Sequence, residues 1–143
     1  MIKTIHKQAL ALGACQRSTE ATDWRSMARL LFSPQGREFC ENHNFPPIDL
    51  WSKIRRECDT TQYGVFIDTG VTTIPHNQEN VALIGQTHGY LTFDGPATSH
   101  RVIVQHGAKA TIKATNHAVV LVVKIGRDCD VTINSDETST ILW

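Results

Sequence analysis

Long hydrophobic runs and an excess of one charge are both missing from this sequence. No apolar run reaches the roughly 18 residues that a membrane-spanning helix needs. Basic and acidic side chains are equal in number, 14 against 14. Nucleic-acid binding draws on a concentrated positive charge that neutralises phosphates, and this balance does not supply one. The sequence therefore predicts no membrane span and does not favour a nucleic-acid partner.

Short catalytic and cofactor-binding motifs are missing as well. The sequence has no GxSxG nucleophile motif, no phosphate-binding P-loop and no dinucleotide-binding GxGxxG. It also lacks the acidic order of a calcium-binding EF-hand and the HxH pair of a cupin metal site. We therefore assign no catalytic residue and no cofactor from the sequence, and a non-catalytic role is favoured over an enzyme.

The four cysteines form no close pair. Cys15, Cys40, Cys58 and Cys129 are far apart in the sequence, whereas zinc sites usually bring two ligands within a few residues. Such a pattern is typical of reduced thiols in a cytoplasmic protein. The alternative is export as a lipoprotein processed at Cys15, because residues 12–15 resemble a lipoprotein processing box, although the apolar segment before it is short.

Residues 1–60 are predicted to form a helical lobe. Ile2, Ile5, Ala9 and Leu12 recur at helical spacing. Ile48, Trp51 and Ile54 are predicted as the apolar stripe of a later helix. Helices this short are marginal alone, so their aromatic residues are expected to form a core.

Several helix ends are marked in this lobe. Thr22 is expected to cap one helix, with Asp23 in its first turn. Ser33 is expected to cap the next helix, with Pro34 at the first helical position, where its missing N–H has no cost. Asn44 is expected to end that helix in a left-handed conformation.

Residues 61–143 are predicted to form an all-β lobe, because the apolar period changes to two from Tyr63 onward. Turn-forming residues separate the strand candidates. These number eight: YGVFID, VALIG, YLTFD, RVIVQ, AKATIKA, AVVLVVKI, DVTIN and STILW.

A repeat of about 19 residues runs through this lobe. Ile84, Ile103, Val122 and Ile141 are 19 residues apart, and Gly89, Gly107 and Gly126 have nearly the same spacing. Each unit has a strand, a turn with a glycine of positive φ, and a second strand. The interior positions are predicted to be Leu91, Phe93, Ala110, Ile112, Val131 and Ile133.

The fold class predicted from these patterns is α+β, with the helical lobe followed by a short β-solenoid of ~19-residue coils. An antiparallel β-sandwich or meander is the alternative. The two differ in pairing, because a solenoid pairs strands in parallel one coil apart and a meander pairs neighbours in the chain.

The segments HGYLTF, HGAKATI and IGRDCDVTI carry a resemblance within residues 81–143. This region resembles short β-solenoid segments of polymer-forming proteins and of phage or cell-surface structural proteins. The resemblance implies a stacked β architecture and carries no functional residue with it.

His88 and His106 are the candidate metal ligands. Both precede a glycine, and on adjacent coils they would lie about 5 Å apart, a distance at which two imidazoles can share a transition metal. The alternative is a pair of turn histidines that bond to the backbone, and no third ligand is evident.

Two functions from different classes follow. In the first, the protein is a structural or interaction module that binds a protein partner or a second copy through Ile141, Leu142 and Trp143, since an open strand edge can pair with another chain. In the second, a polar face of the β lobe binds or acts on carbohydrate. The residues available for it are Tyr63, Tyr90, His88, His106, Asp94 and Asp128.

Overall fold

The computed structural model describes every residue from Met1 to Trp143. The chain divides into two compact units, Met1–Tyr63 and Gly64–Trp143. The first unit is helical and the second consists of β-strands. The α+β class predicted from the sequence is therefore confirmed.

The first unit contains four α-helices: α1 Ile2–Ala11, α2 Trp24–Phe32, α3 Pro34–His43 and α4 Ile48–Glu57. Two 3-10 segments accompany them, at Gln16–Glu20 and Thr60–Tyr63. None of the helices has both the length and the apolar character required to cross a membrane.

The helix ends follow local hydrogen bonding. Ser33 caps α3 by accepting a hydrogen bond from the Gly36 N–H at 3.0 Å, and Asn44 ends α3 at φ 46°, so both predictions are confirmed. The predicted cap at Thr22 is wrong. Asp23 caps α2 instead, because its carboxylate accepts from the Ser26 N–H at 2.7 Å while the Ser26 hydroxyl accepts from the Asp23 N–H.

The buried stripe of α4 differs from the predicted one. Trp51 and Ile54 are buried as predicted, but Ile48 is 41% exposed. Leu50 is buried in its place and shares a face with Ile54, four residues later. The buried face is therefore centred between Leu50 and Trp51, with Ile48 at its margin.

The second unit contains nine strands in two parallel sheets. The strands are β1 Val65–Ile67, β2 Gly70–Thr73, β3 Asn80–Ile84, β4 Thr87–Asp94, β5 Ser99–Gln105, β6 Lys109–Thr115, β7 Val119–Ile125, β8 Asp130–Ser135 and β9 Thr140–Leu142. The first sheet has the order β1-β3-β5-β7-β9, and the second has β2-β4-β6-β8. Every strand thus pairs in parallel with the equivalent strand of an adjacent coil, so the unit is a β-solenoid of about four coils and the antiparallel alternative is wrong.

The coils are slightly longer than the predicted repeat. Asp94 and Thr115 are register partners on β4 and β6, and their positions differ by 21. The first coil is shorter than the later ones, since Val65 lies opposite Ala82 while Ala82 lies opposite Ile103. Ile84 and Ile103 are therefore not register partners. The predicted spacing matched residues of similar type that stand one or two positions out of register.

The core lies between the two sheets. All six predicted interior residues belong to it: Leu91, Phe93, Ala110 and Ile112 are buried, and Val131 and Ile133 pack against them. A spacing of 19 residues places Leu91 beside Ala110 and Phe93 beside Ile112. The structure differs, because Leu91, Ile112 and Ile133 form a single row through three coils. The alternation of side chains along each strand identified the inward face even though the register was wrong.

One corner of the solenoid uses the same backbone conformation in every coil. Asp68, Gly85, His106 and Gly126 each follow the last paired residue of a first-sheet strand, and their φ angles are 52°, 66°, 57° and 86°. The prediction that Gly89 forms such a corner is wrong. Gly89 lies inside β4 and faces the core, where an added Cβ would come within 2.7 Å of the Leu83 side chain.

Candidate functional site

Exposed side chains of the second sheet form a continuous polar face. Successive residues of a strand point to opposite sides, so every second residue belongs to this face. The polar face is defined here by three residues of β4, three of β6 and three of β8: His88, Tyr90, Thr92, Lys109, Thr111, Lys113, Asp130, Thr132 and Asn134. It is parallel-stranded, with a separation of about 4.8 Å between neighbouring strands.

His88 and Tyr90 form the aromatic part of the polar face. Their rings are stacked with centroids 4.6 Å apart. Nε2 of His88 is 2.9 Å from Oγ1 of Thr111 on the neighbouring strand, which fixes the imidazole against β6. Tyr90 is 43% exposed. The histidine thus orders one side of a tyrosine ring that remains accessible to solvent.

Three other residues of the predicted carbohydrate pool have different positions and roles. Asp94, at the end of β4, accepts hydrogen bonds from the Thr115 hydroxyl and the Asn116 amide. Asp128 lies exposed in the turn before β8, and Tyr63 belongs to the helical unit. Within the pool, His88 and Tyr90 form a ring contact.

His88 and His106 do not occupy the same repeat position, so that premise of the predicted metal site is wrong. His88 lies opposite Lys109, whereas His106 stands at the left-handed corner shared with Gly85 and Gly126. No group of three or more His, Cys, Asp or Glu side chains in the chain is arranged to hold a metal ion.

A second corner of the solenoid is held by carboxylates. Asp136 accepts hydrogen bonds from the Asn116 N–H at 3.0 Å and from the Thr138 and Ser139 hydroxyls at 2.7 and 3.0 Å. The bond from the Asn116 N–H is the main cause that lowers the pKa of Asp136. The pKa of Asp94 is lowered in the same direction, chiefly by the Thr115 hydroxyl. Both carboxylates thus stabilise turns and connect neighbouring coils through hydrogen bonds.

The last coil leaves apolar groups and strand edges uncovered. β8 and β9 each have a hydrogen-bonded neighbour on one side only. Ile141 lies opposite Val120 and packs on the core, while Leu142 is 49% and Trp143 69% exposed. The three predicted interaction residues therefore divide into one that closes the core and two that face solvent.

A groove of about 820 Å³ lies along α1 in the helical unit. Its lining includes Ile2, Leu10 and Trp24, with Lys3 and Lys7 also present. His6, in the same lining, is 2.7 Å through Nε2 from the Ala21 carbonyl. The groove gives no arrangement of catalytic groups.

Sequence reasoning missed most of the polar face as a unit. The lysines and threonines of this face lie on strands that are one full coil apart in the chain. The predicted repeat of about 19 residues is shorter than this coil, so it does not place Lys109 beside His88. Comparison with known proteins adds no assignment: the chain matches no protein-family model, no curated protein and no solved structure.

Proposed function

We propose that the protein is a non-catalytic structural and interaction module that self-associates through the last coil of its solenoid. The observation that supports this is the incomplete burial of the terminal core row. Ile112 is fully buried, whereas its register partner Ile133 is only half-buried, and Ala110 and Val131 show the same contrast. Covering these residues with another strand would bury more apolar surface and stabilise the assembly.

A second copy of the chain is the proposed partner. Two β8 strands related by a two-fold axis would pair antiparallel, because a two-fold interface brings the same surface of both copies together. With the axis at Thr132, Val131 of one copy lies opposite Ile133 of the other, and both face inward. Asp130 then lies opposite Asn134, so no like charges meet within the paired strands.

Leu142 and Trp143 extend this interface from the first sheet. Leu142 is the last residue of the edge strand β9 and Trp143 follows it, and both are exposed. Tryptophan is among the residues that contribute most to binding at an interface, and covering an exposed leucine adds buried apolar area. In this proposal Leu142 and Trp143 act as anchors, and Ile141 continues the core across the junction.

The resemblance to solenoid segments of polymer-forming, phage and cell-surface structural proteins supports an assembly role of this kind.

We also propose a cytoplasmic location. All four cysteines are free thiols, and two of them, Cys40 and Cys129, are buried. Reduced thiols are typical of that compartment.

Sedimentation of matched lysine variants tests the proposal. Thr132→Lys places two ammonium groups opposite each other at the axis, so we expect this variant to sediment as a monomer at concentrations where the natural chain is a dimer. Thr73→Lys is the control, because Thr73 lies in the same row on β2 at the other end of the second sheet. It should leave the dimer intact.

Other outcomes also decide the question. Dissociation by both lysine variants would indicate head-to-tail pairing of the two solenoid ends and contradict the two-fold arrangement. A natural chain that stays monomeric up to a high protein concentration would overturn self-association. The double variant Leu142→Ala/Trp143→Ala should weaken the dimer without changing the circular dichroism of the monomer, and an unchanged dimer would remove these two residues from the interface.

A further inference from the structure

The polar face has a feature that self-association does not use, which is an accessible aromatic ring between unpaired lysines. Tyr90 lies at the centre of β4. Lys109 and Lys113 lie on β6 beside it, and both are exposed. The ion pair that the structure forms is Arg101 with Glu79, so neither lysine is bound to a carboxylate. The face therefore offers positive charge next to a stacking surface.

The geometry leaves one side of the Tyr90 ring open. His88 occupies the other side at 4.6 Å and is itself held by Thr111. Thr92, the next outward residue, has a small exposed side chain about 6.7 Å further along the strand. The space above Thr92 is thus bounded by the tyrosine ring and by Lys113, which lies directly opposite Thr92. The apolar face of a pyranose ring can stack on the tyrosine between these boundaries.

We infer that the polar face binds an acidic polysaccharide, with a pyranose ring stacked on Tyr90 and a uronic-acid carboxylate bound by Lys113. Lys109 lies about 13 Å from Lys113 along β6 and receives a second carboxylate of the same chain. Thr92, Thr111 and Asn134 supply hydroxyl and amide groups that bond to sugar hydroxyls.

The residue types favour a uronic acid over a nucleic acid. Single-stranded nucleic acids bind to several aromatic rings that stack successive bases, and this face has one tyrosine with a histidine already packed on it. Asp130 also lies on the face, opposite Lys109, so two lysines stand against one carboxylate. This excess of one positive charge would neutralise few of the phosphates of a nucleic acid, which carries one at every nucleotide. It suits a sugar chain whose charges are further apart and lie away from the apolar ring face.

Calorimetric titration with defined oligosaccharides tests the inference. The probes are tetrasaccharides of galacturonate, guluronate and glucuronate, each paired with its methyl ester, which keeps the sugar and removes the charge. We expect at least one acid to bind and its ester to bind about tenfold more weakly. Added salt should weaken binding of the acid, because both lysines are exposed.

Variants assign the two contacts separately. Tyr90→Ala should weaken binding about tenfold, and Tyr90→Phe should keep it, since the stacking area remains. Lys113→Gln should weaken binding of the acid and reduce its difference from the ester, while Lys109 retains the second carboxylate. Lys124→Gln is the control for charge, because Lys124 is an exposed lysine of the first sheet. It should bind like the natural chain.

The inference fails on any of three results. These are no binding of any of the acids at high concentration, equal binding of acid and ester, and equal weakening by Lys124→Gln and Lys113→Gln. Preferential binding of a short oligothymidylate would replace it with a nucleic-acid site. The Leu142→Ala/Trp143→Ala variant, whose substitutions lie at the end of the first sheet and outside the polar face, should still bind sugar, so failure of the dimer and failure of this site are distinguishable.

Discussion

Backbone conformation at single residues controls how the solenoid turns. The first corner is left-handed in all four coils, and Asp, Gly, His and Gly fill it in turn. A side chain in this conformation is strained, although Asp, Asn and His tolerate it better than most residues. The positive φ at this position is therefore constant while the residue type varies, which is why the repeated glycines align Gly89 with residues that do not correspond to it.

We expect Gly126→Ala to lower the free energy of unfolding of the solenoid by about 1 kcal/mol, because alanine is strained at φ 86°. Gly126→Asn should lower it less, since asparagine adopts left-handed conformations more readily. Urea denaturation followed by far-ultraviolet circular dichroism measures both. Equal loss in the two variants would show that added bulk, rather than φ, is the cause.

The carboxylate at Asp136 makes stability depend on pH. Hydrogen bonds to Asp136 lower its pKa in the folded chain below the unfolded value of about 3.9. Its contribution is therefore complete above about pH 4 and is lost as the pH falls through the lower folded pKa. We expect Asp136→Asn to be less stable than the natural chain at neutral pH and to approach it in stability on acidification.

Thermal unfolding of both chains across acidic pH measures this convergence. Asp128→Asn is the control, because it removes a carboxylate that is exposed in the turn before the same strand and that makes none of the bonds described for Asp136. A constant difference between Asp136→Asn and the natural chain at every pH would contradict the account.

At the scale of elements, rows of side chains connect the coils. Leu91, Ile112 and Ile133 are register partners on β4, β6 and β8, and burial decreases at the last of them. The same row therefore contains an interior and a terminal position with the same residue type. This allows the contribution of stacking to be separated from that of side-chain chemistry.

We expect Ile112→Ala to lower the free energy of unfolding by about 2–5 kcal/mol, because it removes a fully buried side chain. Ile133→Ala should cost about 1 kcal/mol in the monomer, since that side chain is only half-buried. Denaturation of the monomeric Thr132→Lys background isolates this comparison. Equal losses would mean that the terminal row is as well packed as the interior.

The elements themselves were largely predictable from the sequence, but their register was not. Alternation along strands identified the inward residues, and Ser33 and Asn44 marked the ends of α3. β2 was missed because Gly70–Thr73 is short and mostly exposed, so it lacks an alternating apolar signal. The polar face depends on register between coils, and nothing local in the sequence specifies that Lys113 lies opposite Thr92.

At the scale of the whole molecule, self-association makes apparent stability depend on concentration. A chain that dimerises in the folded state is stabilised by mass action. We expect the melting temperature of the solenoid to rise with protein concentration in the natural chain and to remain constant in Thr132→Lys. Differential scanning calorimetry over a wide range of concentration would measure this, and a constant melting temperature in both would contradict dimerisation.

The short first coil shows where this architecture can change in length. Val65 lies opposite Ala82 and Ala82 lies opposite Ile103, so the first coil uses fewer residues than the second although both are in register. The missing residues fall between β2 and β3, outside the paired strands. One residue added within Lys109–Thr115 would instead shift the register by one. The following side chains of that strand would then move from the core to the exposed face, and the exposed ones to the core. Insertions are therefore tolerated at the bends of this protein, whereas its strands tolerate substitutions only.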